Sequence, residues 1–445
     1  MTDTSLIWLI GLALLAVAAI PAVRRRVGLA RHAVQAREKA EVYGLGEPVS
    51  LHPVIDPSRC AGCGACVRAC PEGDVLALVG GQAVAVQPAR CVGHGMCERS
   101  CPTEAITLVF GTSKRGVELP RVKEDYETNV SGLYIVGELG GMGLVRNAFE
   151  QGRQCLESIA RQAKHEAPAP DGRPDVLIIG AGPGGLSAAA SAKRLGLRAV
   201  ILEKETEAGG AVRTYPRRKI VLTRPFDIPG YGKFKLGQVE KEEMMATWRD
   251  LVEKLGLEVL GEQLVTNLQP DDHGFVVRTA AGAEHRGRRV VLAIGRRGIP
   301  RKLGVPGEGG PNVYYGLLEP QHFAGRRALV VGGGDSAVEA AMMLADQPGT
   351  SVRLSYRKDR LARVKAANQE RFEAAVDAGR VVPLWSTNPI EIRPDGVVVR
   401  HDEGAETEVP ADDVFIFIGG ELPTAFLEAC GVALDTHFGE PRRAA

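Results

Sequence analysis

The run DVLIIGAGPGG, Asp175–Gly185, brings four branched apolar residues into a turn with glycine at 180, 182 and 185, and an alanine-rich segment follows. A second apolar run, AVILEK, places Glu203 close to twenty residues beyond the first glycine. Strand, glycine turn, helix and acid in this order form the dinucleotide-binding fingerprint. Gly180, Gly182 and Gly185 let the backbone approach a pyrophosphate at the helix N-terminus, and Glu203 reaches a ribose hydroxyl pair. Working outward, RALVVGGGDSA at Arg327–Ala337 repeats the pattern with Gly332, Gly334 and Ala337. Its second strand, SVRLSYRK, ends in Arg357 and Lys358 instead of an acid. A carboxylate there would repel a 2′-phosphate and a basic pair attracts one, so NADPH is expected ahead of NADH. A solvated basic loop, with Arg360 and Arg363 nearby, is the plainer reading. Two nucleotide folds in one chain suggest that one holds FAD and the other delivers hydride.

Upstream lies a cysteine block. Of nine cysteines, seven fall between Cys60 and Cys101, while Cys155 and Cys430 stand alone. Such clustering fits a metal site in a reducing compartment better than scattered disulfides. Cys60, Cys63, Cys66 and Cys70 are spaced C-x2-C-x2-C-x3-C before Pro71, the signature of a two-cluster [4Fe–4S] site in which the fourth cysteine serves the other cluster. The second run, Cys91-x5-Cys97-x3-Cys101-Pro102, carries His94 where a second cysteine is expected. The crossed rule gives the first cluster Cys60, Cys63, Cys66 and Cys101, a complete [4Fe–4S] set. A second Fe–S cluster takes Cys91, Cys97 and Cys70, with His94 the one candidate for the fourth place. Three readings stay open there: a histidine-ligated [4Fe–4S] cluster, a three-iron cluster, or a weak cluster. Imidazole in place of thiolate removes a negative charge and raises the potential.

At the N-terminus, Ser5–Val23 runs nineteen residues without a charge. As a helix it spans about 28 Å, close to the hydrocarbon core of a bilayer. Asp3 precedes it, and Arg24, Arg25 and Arg26 follow, which by the positive-inside rule leaves the rest of the chain in the cytoplasm. The expectation is a single-pass inner-membrane anchor. A cleaved signal peptide carries its positive charge before the apolar run instead. Arg24–Ala40 reads as a basic juxtamembrane helix or a solvated linker. The 445 residues allow about three domains, and Lys+Arg 55 against Asp+Glu 54 leaves no field that would draw nucleic acid. A 44% hydrophobic and 24% charged composition excludes a disordered chain and a multi-span transporter.

Residues 51–110, including TEAI at Thr103–Ile106, resemble bacterial two-cluster ferredoxins. Residues 175–425 resemble thioredoxin-reductase-like flavoproteins of the class II pyridine nucleotide-disulfide oxidoreductase family. The shared motifs are GGA at Gly209–Ala211, AIG at Ala293–Gly295, VPGEG at Val305–Gly309, GGGDSAVEAA at Gly332–Ala341 and DVFIFIGGELPTAFLE at Asp413–Glu428. Reductases of that family acting on thioredoxin carry Cys-x-x-Cys before the second glycine turn. Here Pro311–Arg326 has no cysteine, which is closer to the cysteine-free bacillithiol-disulfide-reductase-like branch. The family's FAD-closing segment is matched upstream by Thr128–Gly152, with Gly137-Glu138 where the family has Gly-Asp, so the resemblance implies a circular permutation. Glu138 would then reach a flavin ribityl hydroxyl, and a helix starting near Leu144 would point its positive end at the flavin pyrimidine edge. The permutation also joins the ferredoxin segment directly to the closing segment, a reason to expect cluster-to-flavin contact.

The resemblance implies an α/β fold of two Rossmann-type FAD and NAD(P) domains, each a three-layer ββα arrangement, plus a small α+β ferredoxin-like domain; the apolar run Ser5–Val23 adds one N-terminal transmembrane helix. The expected boundaries are 1–25 anchor, 26–50 linker, 51–110 ferredoxin domain, 111–165 closing segment, 175–298 FAD domain, 299–428 NAD(P) domain and 429–445 tail. The function expected is membrane-anchored electron transfer between NAD(P)H, FAD and [4Fe–4S] clusters, to or from a redox protein or quinone at the membrane, with a homodimer as the expected assembly. A disulfide or small-thiol reductase and an NADPH-responsive sensor or scaffold are the alternatives. No acid–base catalytic residue stands out.

Overall fold

The computed structural model describes residues 51–441 apart from 74, 89–90, 92, 114–115, 142, 165, 167–170, 218, 223–225, 235–237, 297–298, 362–363 and 365, and before 51 it describes 20, 28, 33–35 and 48. The apolar run Ser5–Val23 therefore lies, but for Ile20, outside the described residues. Among the described residues no helix is long and apolar enough to cross a membrane. The chain divides into two compact units, Met1–Gly116 with Phe438–Arg442, and Val117–His437.

In the first unit, His52–Ile55 pairs antiparallel with Ile106–Phe110, which also accepts Glu440–Pro441 on its other edge. A hairpin, Leu76–Val79 with Gln82–Ala85, and two short helices, Ala65–Ala69 and Met96–Arg99, complete it. Each helix starts after a left-handed glycine, Gly64 at φ 70° and Gly95 at φ 70°, a conformation that costs an L side chain strain.

The second unit holds two parallel five-stranded sheets. The first runs in the order Glu258–Leu260, Ala199–Leu202, Val176–Ile179, Arg289–Leu292, Leu133–Ile135. The second runs Val381–Trp385, Ser351–Tyr356, Arg327–Val331, Asp413–Ile416, Val313–Tyr314. Their central strands, VLII and ALVV, are buried on both faces, which is why they read as continuous apolar runs without alternation. Each sheet is paired with a three-stranded antiparallel meander, Val265–Asp271 to Glu284–Gly287 and Thr387–Ile392 to Glu406–Pro410. In both sheets the strand that comes first in the chain lies at the edge, beside the strand that comes last.

The helix Val145–Ala163 packs on Pro183–Arg194 through Gly152. A Cβ at Gly152 would lie 2.4 Å from the Gly184 carbonyl oxygen and 2.9 Å from the Ala188 nitrogen, so only glycine permits this approach. Phe149, Phe226, Phe234 and Trp248 fill the core beneath, with Phe149 and Trp248 ring centres 5.2 Å apart. After the second sheet the chain returns to the first, where Leu427, Cys430 and Val432 are buried beside Leu133 and Leu177. The stretch 429–445, expected as a tail, instead supplies two strands. Leu434–His437 pairs antiparallel with Val117–Pro120, and Glu440–Pro441 joins the first unit's sheet. His437 and Val117, at the two ends of the second unit, are register partners.

Candidate functional site

The first glycine turn is built by contacts that exclude side chains. Gly180 sits at φ +103°, and a Cβ there would lie 2.8 Å from the Ala293 oxygen; at Gly185 it would lie 1.9 Å from the Gly180 oxygen. The Gly209–Ala211 stretch closes on the same turn, with the Gly209 N–H donating to the Ala181 carbonyl at 3.0 Å. Glu203 is 3% exposed, and its carboxylate accepts the Ala181 N–H at 2.6 Å and the Glu205 N–H at 3.0 Å. The acid is thus held against the turn it was expected to serve, at the carboxyl ends of the strands where such sheets bind nucleotides.

Leu133–Ile135 lies beside Arg289–Leu292, so the upstream segment completes this sheet. Gly137 follows at φ +82°, and its N–H donates to the Gln151 side-chain oxygen at 2.6 Å. Gln151, 6% exposed, is a positioning residue that the sequence reading missed. Glu138 is half-buried, and Leu144 takes φ 92°, a strained value for a branched side chain, immediately before the helix Val145–Ala163. That helix therefore starts abruptly beyond the Gly137–Gly140 turn, with its first-turn N–H groups leading.

In the second half, a Cβ on Gly332 would lie 2.3 Å from the Phe417 oxygen, whereas one on Gly334 would meet nothing within 4 Å. The turn is tight below and open above, as a phosphate cradle requires. Ala337 is fully buried. The Tyr356 ring lies where a side chain on Gly333 would project. Arg357 is exposed and Lys358 half-buried just past the strand Ser351–Tyr356, and neither is in an ion pair among the described residues. Lys219 reaches Glu339, on the helix Asp335–Ala345 that follows this turn, at 2.8 Å.

The first unit brings the cysteines together in the crossed pattern. Cys60, Cys63, Cys66 and Cys101 line one pocket. Cys70, Cys91, Cys97 and His94 line another. Among the described residues no three His, Cys, Asp or Glu side chains converge closely enough to hold a single metal ion. Sets of cysteines lining a shared hollow are the ligand type that iron–sulfur clusters take. Burial raises the Cys97 thiol to about 12 and the Cys91 thiol to about 11, with Cys70 adding to both. Burial likewise raises Cys66, with smaller contributions from Cys101 and Cys60. Crowded thiols of this kind ionise when iron supplies the opposing charge.

His94 stands in the place of Cys63. Arg68 donates to the Cys63 carbonyl at 3.2 Å, and Arg99 donates to the His94 carbonyl at 3.0 Å, each from the helix that follows. By contrast, Cys155 and Cys430 are buried in separate core clusters, and burial raises both thiols, Cys430 to about 11. They form no dithiol.

Residues 177–442 match the family model described as pyridine nucleotide-disulphide oxidoreductase, and residues 52–102 match that of a 4Fe-4S dicluster domain. A ferredoxin–NADP reductase of Ignicoccus hospitalis is 35% identical over 253 residues, covering 56% of this chain and 78% of that protein. A thioredoxin reductase of Bacillus subtilis is 31% identical over 255 residues, 55% of this chain and 74% of its own. Among solved structures, a bacillithiol disulfide reductase from Bacillus cereus matches with a TM-score of 0.54 at 25% identity, over 61% of this chain and 86% of that one.

Proposed function

Because this chain belongs to the pyridine nucleotide-disulphide oxidoreductase family and carries a 4Fe-4S dicluster domain, we propose that it passes electrons between NADPH and two iron–sulfur clusters held on the same chain, to or from a redox partner at a membrane. It is an FAD-dependent pyridine nucleotide oxidoreductase. The observation that carries the proposal is the pair of thiol-lined cavities encoded with two glycine turns in one polypeptide. The likeness to ferredoxin–NADP reductases supports it, since those relatives are named for exchange between a ferredoxin and NADP.

Bound FAD would supply exchange between paired and single electrons. For its part the chain holds the nucleotide: Gly180, Gly182 and Gly185 admit the pyrophosphate, and Glu203 presents a carboxylate already fixed by two N–H donors. Gly137, steadied by Gln151, and Glu138 precede the helix Val145–Ala163, whose N-terminal N–H groups favour negative charge. Gly332, Gly334 and Ala337 form the second cradle, with Arg357 and Lys358 beside it for a 2′-phosphate.

We read the strand order as a circular permutation. The support is the pairing of Val117 with His437, because a short turn joining those two strands would give the unpermuted chain. The membrane anchor rests on Ser5–Val23 and its arginine flank. Disulfide reduction, suggested by the thioredoxin reductase and bacillithiol disulfide reductase likenesses, is the second reading; for a relay of the thioredoxin-reductase kind, Cys155 and Cys430, buried in separate clusters, provide no dithiol. The test is acceptor choice. NADPH oxidation should drive reduction of a ferredoxin-type protein acceptor, fall at least tenfold in Cys66→Ser, and leave small disulfides near background. Disulfide turnover as fast as protein-acceptor turnover, and unchanged in that variant, contradicts the proposal.

A further inference from the structure

The first unit repeats itself at an offset of 31 residues, which superimposes Cys60 on Cys91, Cys66 on Cys97, Cys70 on Cys101 and Pro71 on Pro102. Cys63 then matches His94, and Glu72 matches Thr103. Both polar departures at these positions line the second cavity. In the first cavity, the Thr103 hydroxyl lies 3.6 Å from the Cys101 sulfur, so the residue two past the cysteine touches a ligand of its own site. In the second, Glu72 Oε1 lies 3.9 Å from His94 Nε2, with the two side chains 16% and 23% exposed.

The chemistry of each pair matches. A hydroxyl can donate to a thiolate, and a carboxylate can accept the N–H of an imidazole. A thiolate at position 94 would instead add one more anion beside Glu72 in a sheltered cavity already lined by Cys70, Cys91 and Cys97. Histidine at 94 and glutamate at 72 thus form one coupled substitution. We propose that Glu72 is the positioning residue for His94, holding Nε2 so that Nδ1 faces the second cluster. Metal-bound histidines commonly donate their other ring N–H to a carboxylate, and the 3.9 Å approach would shorten by about 1 Å to make that bond. This inference rests on the reading that His94 ligates a second cluster.

The experiment uses the full chain, labelled with ¹⁵N-histidine, purified anaerobically and reduced with dithionite. Pulsed EPR reads nitrogen coupling to the cluster signals, and iron retained after chelator challenge reads the second site. The signal of the cluster on Cys60, Cys63, Cys66 and Cys101 serves as the control for folding. Wild type should show histidine nitrogen coupling on one of two signals. Glu72→Ala should weaken that coupling and lose second-site iron several-fold faster, and Glu72→Asp should retain both. Against a His94→Cys background the sign should reverse, with Glu72→Ala slowing iron loss because it removes the anion beside a thiolate. Iron loss that Glu72→Ala speeds equally in both backgrounds marks Glu72 as merely structural and overturns the proposal. Nitrogen coupling that survives Glu72→Ala unchanged also overturns it. Wild type with no nitrogen coupling overturns the His94 reading beneath it.

Discussion

Replacing Arg357 and Lys358 together by alanine removes both cations at the end of the strand Ser351–Tyr356. Charged hydrogen bonds contribute about 1.5–3 kcal/mol in sheltered settings. Lys358 is half-buried and sits at the low end of that range, while Arg357 is exposed, where solvent screening leaves about 1 kcal/mol or less. Together they give about 1.5–2.5 kcal/mol toward a 2′-phosphate, or roughly a 10- to 60-fold loss in kcat/KM for NADPH. NADH has no such phosphate and should change by about twofold or less. The assay is steady-state kcat/KM with each nucleotide at low and high salt. Wild type should lose NADPH efficiency as salt rises, and the double variant should not. Equal losses for NADPH and NADH would refute the assignment, as would a salt dependence that the substitutions leave intact.

Gly152→Ala forces a Cβ to within 2.4 Å of the Gly184 oxygen, so overpacking of about 1–3 kcal/mol or more should lower Tm and FAD content together. An unchanged Tm, measured by differential scanning, would show that the helices separate freely. Cys101→Ser should remove the EPR signal of the cluster held by Cys60, Cys63 and Cys66, and Cys70→Ser that of the cluster held by Cys91 and Cys97. Loss of the sequence-adjacent cluster instead would undo the crossed assignment. Hydrogen bonds from the buried Arg173 hold the Asp171 carboxyl down to about 2, from an ordinary 3.8, and hold Asp271 low as well. A depressed carboxyl stabilises fully above its unfolded value and less as pH falls through its folded one. Urea stability, read by flavin fluorescence, should therefore fall as pH drops from about 4 toward 2. Asp171→Asn should flatten that fall, and an unaltered slope would count against the clamp.

Both glycine turns and the cysteine partition were legible because their constraints are local: a missing Cβ, a fixed spacing, an acid about twenty residues on. His94 was legible as a substitution within a repeat. Its neighbour Glu72 belongs to no motif, and only the same offset of 31, which aligns it with Thr103, marks it. Gln151 gave no signal, since a lone buried glutamine on an amphipathic helix resembles any polar residue there. The strand Leu434–His437 was unreadable for another reason. Its partner Val117–Pro120 lies at the far end of the same unit, and four residues of mixed polarity carry no register alone. The upstream closing segment was visible only through resemblance, and its edge position in the sheet follows from long-range pairing with Arg289–Leu292.

The most direct measurement is an anaerobic NADPH titration of the full chain, with visible absorbance and low-temperature EPR recorded on the same samples. The account predicts that flavin absorbance bleaches and that at least one cluster signal grows in step with it. Complete flavin bleaching with both clusters still oxidised would contradict electron passage from NADPH to the iron–sulfur unit.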